Sequence, residues 1–168
     1  SISVMPIWES FANNIFSVTS FLRGEIRKAG GDENRETLHY IKTVDGDKFY
    51  ISDDGSYYRA YIFVSDSVSY NSTENAEMFR QSGIAFGKFQ KYLSAFPADS
   101  LYETLPEFHN TKHRYETEFL PAVDANLSGR KDTCLSEIDF VNNRKAYCSH
   151  LVDMIADGRL PLRVTHND

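Results

Sequence analysis

Residues 37–64 read TLHYIKTVDGDKFYISDDGSYYRAYIFV. Two Asp-Gly pairs, Asp45-Gly46 and Asp54-Gly55, cut this stretch into three runs. Asp-Gly tolerates the positive φ angles that tight hairpin turns require. The spacing therefore predicts three antiparallel strands over residues 37–44, 48–52 and 57–64. The third run is rich in aromatic and branched residues and reads as a buried strand. Upstream, Ile7, Phe11, Ile15, Val18, Leu22 and Ile26 recur every three or four residues, the apolar face of an amphipathic helix. Gly30-Gly31 stops it. A helix followed by three tightly turned strands is a small α+β unit. Phe11, Ile15, Val18 and Leu22 are expected to pack onto its sheet.

Beyond Ser65 the pattern becomes helical. Phe79, Phe86, Phe89, Leu93 and Phe96 lie at helical spacing. Gly83 and Gly87 fall inside that segment. Each costs about 1 kcal/mol against Ala in a helix, which predicts a close approach by another element. Phe96-Pro97 ends the helix, residues 97–110 read as a loop, and a shorter helix is expected over 112–125. Ser128-Gly129 breaks the chain again. A last helix should carry Leu135, Ile138, Val141, Cys148, Leu151 and Ile155 on one face and stop at Gly158. Residues 160–165 form a short strand-like run. The expected organisation is a mixed lobe (1–64), a hinge (65–69) and a helical lobe (70–168).

The composition removes several function classes. A length of 168 residues fits one domain or two small lobes. Twelve Phe and ten Tyr argue against disorder. Eighteen basic against 24 acidic residues give a net charge of −6, so a broad nucleic-acid footprint is not expected. No apolar run approaches the roughly 20 residues needed to span a bilayer, and nothing resembles a signal peptide. A soluble, cytoplasmic domain is expected. Cys134 and Cys148 are 14 residues apart. On one helix they would be separated by about 21 Å, and a disulfide needs about 7 Å or less, so both should be free thiols, as in a reducing compartment. His109 and His113 would share a helical face as zinc ligands do, but no third ligand is evident. The aspartates 45, 47, 53 and 54 lack the spacing of a calcium loop and suit turns. The formylglycine sulfatase signature is absent, because no proline has Cys or Ser two residues before it.

The chemistry concentrates at Val164-Thr165-His166-Asn167-Asp168. His-x-Asp after a short apolar run places a carboxylate at a strand-to-loop corner. There it can orient the proton of an attacking hydroxyl. Five other blocks precede it in order: Gly31-Asp32 with Arg35-Glu36-Thr37-Leu38; Tyr58-Arg59-Ala60-Tyr61-Ile62-Phe63-Val64; Ala85-Phe86-Gly87-Lys88-Phe89-Gln90; Pro106-Glu107-Phe108-His109-Asn110-Thr111 with Arg114; and Glu137-Ile138-Asp139-Phe140-Val141. With Leu160-Pro161-Leu162-Arg163-Val164 leading into the His-x-Asp, the chain resembles the aminoglycoside and choline phosphotransferase superfamily. The resemblance is closest to its N-acetylhexosamine kinase branch.

The resemblance implies a protein-kinase-like two-lobe fold and ATP-dependent phosphorylation of a sugar hydroxyl, of an N-acetylhexosamine or a related small molecule. It implies Asp168 as the catalytic carboxylate and His166 as its structural support. Val64, Ser65 and Asp66 would be the hinge that holds the adenine edge, and His109, Asn110 and Arg114 would lie on the acceptor side. ATP and magnesium are the implied cofactors, with no metal ligand within the chain. The superfamily continues past its Asp168 equivalent with a Lys and an Asn, and later a metal-binding Asp, and it begins with a nucleotide-covering hairpin. Neither part is among these residues. The expectation is thus a kinase fragment truncated at both ends, inactive as 168 residues, with self-association possible through the surface this uncovers. The competing expectation is a non-enzymatic binding or scaffold module of the same ancestry.

Overall fold

The helical period near the N-terminus becomes α1, Ile7–Lys28, in the computed structural model, which describes residues 7–165. Its end follows the Gly-Gly signal. Gly30 adopts φ 76°, and the Gly31 amide donates to the Ile26 carbonyl at 2.9 Å, a left-handed cap of the Schellman type. Ala12, Phe16, Leu22 and Ile26 are buried along it.

The second long helix, α2, spans Ala76–Tyr92. Asn75 caps it by accepting the Met78 amide, and a 3₁₀ turn, Leu93–Ala95, continues it. Leu22 and Ile26 of α1 pack with Leu93, Phe96 and Val164 into one core, with Val18 and Phe21 at its margin. The face of α1 expected on the sheet therefore meets the end of α2 and the Val164 segment instead. Phe11 stays 40% exposed, its ring capped by the Arg59 guanidinium at 5.0 Å.

The predicted three-stranded sheet is two separate two-stranded pairs. The strands are β1 (Tyr40–Ile41), β2 (Tyr50–Ile51), β3 (Tyr57–Tyr58) and β4 (Ala60–Tyr61). β2 pairs antiparallel with β3 around the Asp54-Gly55 turn, as the sequence indicates. β1 pairs with β4 rather than β2, Tyr40 opposite Tyr61. The Asp45-Gly46 turn instead closes on itself, with Thr43 and Asp47 bonded at 2.9 Å. β3 and β4 are consecutive halves of one extended run, and the break falls at Arg59, drawn over the rings of Phe11 and Tyr40. This run is exposed, not buried: Phe63 is 81% accessible. Its aromatic content serves ring pairs instead: Tyr57 stacks on Trp8 of α1 at 5.6 Å, and Tyr61 meets Tyr40 at 5.6 Å, the second a cross-strand contact of the kind that stabilises small ladders.

The β2–β3 turn carries its own pH dependence. Asp54 accepts hydrogen bonds from the Ser52 hydroxyl and, at 3.0 Å, from the Ser56 amide. These hold its carboxyl below the ordinary value, the Ser52 hydroxyl most strongly. A depressed carboxyl stabilises the folded turn above its unfolded pKa, and this is lost as pH falls through the folded value. In Asp54→Asn, the acid-induced loss of hairpin order below about pH 4 is expected to flatten, read from amide shifts of Ser52 and Ser56.

Gly83 and Gly87 do not mark a close approach. A Cβ at either position would meet nothing within 4 Å. Gly83→Ala and Gly87→Ala are therefore expected to stabilise the protein by about 0.4–1 kcal/mol each, measured by urea unfolding.

By its contacts the chain parts into one unit up to Thr104 together with the chain from Arg163, and a second of residues 105–162. The division does not fall at 65–69, because Leu93 and Phe96 share a core with α1. The second unit is built of short helices: α3 (Thr111–Arg114), a π-helical turn (Tyr115–Phe119), α4 (Leu120–Ala125), α5 (Leu135–Asn142), α6 (Lys145–Cys148) and α7 (His150–Ala156). The wide turn immediately precedes Pro121. Proline lacks an amide hydrogen, and its ring crowds the carbonyl four residues back. The single last helix expected through Ile155 is three pieces. One break falls between Asn142 and Lys145, where the Arg144 guanidinium turns back onto the Phe140 ring and carbonyl, at 3.5 and 3.0 Å. The two cysteines are free thiols, although the continuous helix that separated them in the sequence reading is absent. Among the described residues none between 105 and 162 is fully buried, and no helix is long and apolar enough to cross a membrane.

Candidate functional site

Within the second unit, the turn ahead of α3 and the π-helical turn line an open cavity of about 500 Å³, a size suited to a small ligand. The local sequence explains its shape. Asn110 caps α3: its Oδ1 accepts the His113 amide at 3.0 Å and its Nδ2 donates to Glu107 at 2.6 Å. Glu107 adopts φ 61°. This tight turn carries Phe108 and His109 to the cavity wall, their rings edge to face at 4.9 Å.

Arg114 lies on the opposite side of the turn, its guanidinium 5.5 Å from the centre of the Phe108 ring and 3.1 Å from the Glu118 carboxylate. The ion pair is about half exposed on both sides, so it contributes little by itself and can exchange for ligand oxygens. Tyr115 stacks on Phe119 at 5.5 Å, and its hydroxyl donates to Asn142 at 3.0 Å. The widened turn places Tyr115, Glu118 and Phe119 together on the wall. Such turns recur at functional sites because they re-aim side chains. Aromatic faces beside a guanidinium and a carboxylate can hold a molecule with both C–H faces and hydroxyls.

His109 and Arg114 thus reach one cavity, whereas Asn110 does not: both ends of its amide are engaged in the cap. His113 also lies outside the lining. His109 precedes the helix, so the two histidines do not share a helical face. No cluster of three or more His, Cys, Asp or Glu suited to a metal occurs among the described residues. Tyr115 and Glu118 were missed in the sequence. The i,i+4 pairs Arg114–Glu118 and Tyr115–Phe119 were the available signal.

The first unit holds the other assigned residues. Ser65 offers its carbonyl to Arg35 Nη1 at 2.5 Å, and Val64 offers its carbonyl to the Ser67 hydroxyl at 3.1 Å. Asp66 takes φ 54°. The amides of Ser65 and Asp66 make no hydrogen bond among the described residues, so donors remain along this segment. At the other end of the chain, Val164 is buried in the core and its carbonyl accepts Gln90 Nε2 at 3.2 Å. His166 and Asp168, the catalytic assignment, lie outside the described residues. No protein-family model matches the chain.

Proposed function

We propose that this chain carries the hinge, acceptor cavity and catalytic-loop start of an ATP-dependent phosphotransferase of kinase-like fold. Its substrate is the hydroxyl of a small sugar, an N-acetylhexosamine or a related molecule. The observation that carries the reading is the anchoring of Val164 in the core of the unit that also holds the hinge. A core anchor four residues before a carboxylate is what a rigid catalytic corner needs.

The roles follow from the chemistry. The free amides at Ser65 and Asp66 would donate to the adenine edge, while Arg35 holds the segment by the Ser65 carbonyl. Phe108 and Tyr115 would bear the sugar's C–H faces, and Arg114 and Glu118 its hydroxyls. Asp168 would orient the attacking hydroxyl. Magnesium, when bound, neutralises phosphate charge in such kinases. The described residues offer it no ligand set, and no step here is assigned to it.

Arg114→Ala tests the cavity. A hydrogen bond to a charged group is worth about 1.5–3 kcal/mol, so in the protein expressed from its own reading frame kcat/KM for the sugar should fall by about tenfold or more with the KM for ATP unchanged. Equal kcat/KM in the variant would remove the cavity from the site.

A further inference from the structure

A second groove, of about 400 Å³, lies between α1 and the β1 segment of the first unit. From α1 it is lined by Ser20, Arg23, Gly24 and Arg27, and from the other side by His39 and Lys42. No acidic residue is part of the lining. Glu33 pairs with both Arg23 (3.0 Å) and Arg27 (2.5 Å) and holds the two guanidinium groups side by side. Only one nitrogen of Arg27 is engaged there, out of five N–H donors on the group. The His39 carbonyl accepts the Ile62 amide at 2.9 Å, but the His39 imidazole and the Lys42 ammonium make no hydrogen bond or ion pair among the described residues. This is a concentration of positive charge on a chain of net charge −6.

Gly24 supplies an independent observation. Glycine is unfavourable inside a helix, and a Cβ there would meet nothing within 4 Å. Packing within the chain therefore does not demand it. Its effect is to leave the groove floor open beside two arginines. The adjoining wall is apolar, formed by the rings of Phe16 and Tyr40 at 5.7 Å.

We propose that this groove binds a small phosphomonoester. Arg27, Lys42 and His39 hold the phosphate, Arg23 stands behind them on Glu33, and the organic end lies on the Phe16–Tyr40 wall. Multiple N–H donors around an uncompensated charge suit a dianion, and the ring wall favours an ester over a bare ion. The proposal is independent of the phosphotransferase reading, since none of these residues belongs to the hinge, the cavity or the catalytic corner.

The test is an amide-shift titration of the 168-residue chain with glucose 6-phosphate at constant ionic strength, with glucose and inorganic phosphate as separate arms. Saturable shifts confined to residues 19–27 and 39–42, stronger for the ester than for inorganic phosphate and absent for glucose, are expected. Arg27→Ala with Lys42→Ala should weaken binding about tenfold or more, and Gly24→Leu should block it. Lys131→Ala with Lys145→Ala, the same charge change elsewhere, should leave it intact. Unsaturable shifts, shifts outside the groove, equal weakening by both double variants, or inorganic phosphate binding as tightly as the ester would each overturn the proposal. The wild-type shift map decides alone if a variant does not fold.

Discussion

Replacing Asp168 with Asn is expected to lower sugar-dependent ADP formation by about 10²–10⁴-fold, the usual contribution of a positioned general base. The substitution is nearly isosteric, so the fold should be retained. ATP affinity should hardly change, because the substitution leaves the backbone donors of the hinge intact. The comparison belongs in the protein expressed from its own reading frame, with whatever residues flank this segment. Were Asp168 only a solvated loop acid, its loss would cost under about 0.5 kcal/mol and leave activity alone. Activity within about twofold of wild type would remove it from the catalytic centre.

Leu93→Ala should produce the largest loss of stability. Leu93 is 1% exposed and joins Leu22, Ile26, Phe96 and Val164 in a buried cluster of the first unit. Truncating a buried leucine costs about 2–5 kcal/mol, through lost burial and the cavity left behind. That is a large part of the 5–15 kcal/mol that holds a typical domain folded. The same cavity would loosen Val164, so amide exchange at Val164 and Thr165 should quicken along with the fall in urea midpoint. Leu93→Met, which roughly keeps the volume, should cost less than about 1.5 kcal/mol. A loss below about 1 kcal/mol for Leu93→Ala would mean that the core lies elsewhere.

The long helices were legible in the sequence because α1 repeats its apolar face from Ile7 to Ile26 and Gly30-Gly31 marks its end. The Asp54-Gly55 hairpin was legible for a similar reason: both of its strands adjoin the turn. The partner of β1 was not legible. Its pairing with β4 skips β2 and is fixed by Arg59 and the surrounding rings, contacts between residues about 20 or more apart in sequence. Composition alone could not tell aromatic residues that cover one another at a surface from those of a buried strand. The break between α5 and α6 escaped notice because Leu135, Ile138, Val141 and Cys148 keep a helical period across it. Of the site, His109 and Arg114 could be found from the block that contains them. The capping role of Asn110 was written in its position three residues before His113, a signal shared by binding residues and helix caps. Glu118 and Tyr115 reach the cavity through the widened turn before Pro121, a departure from the regular helical spacing on which the sequence reading relied.

The phosphotransferase reading is tested most directly by ³¹P NMR of the protein expressed from its own gene, incubated with ATP, magnesium and an N-acetylhexosamine. A new phosphomonoester resonance is predicted to grow with ADP, to require the sugar, and to vanish in Asp168→Asn. No sugar phosphate with any hexosamine tried, from a folded protein, would contradict the reading and leave a binding module in its place.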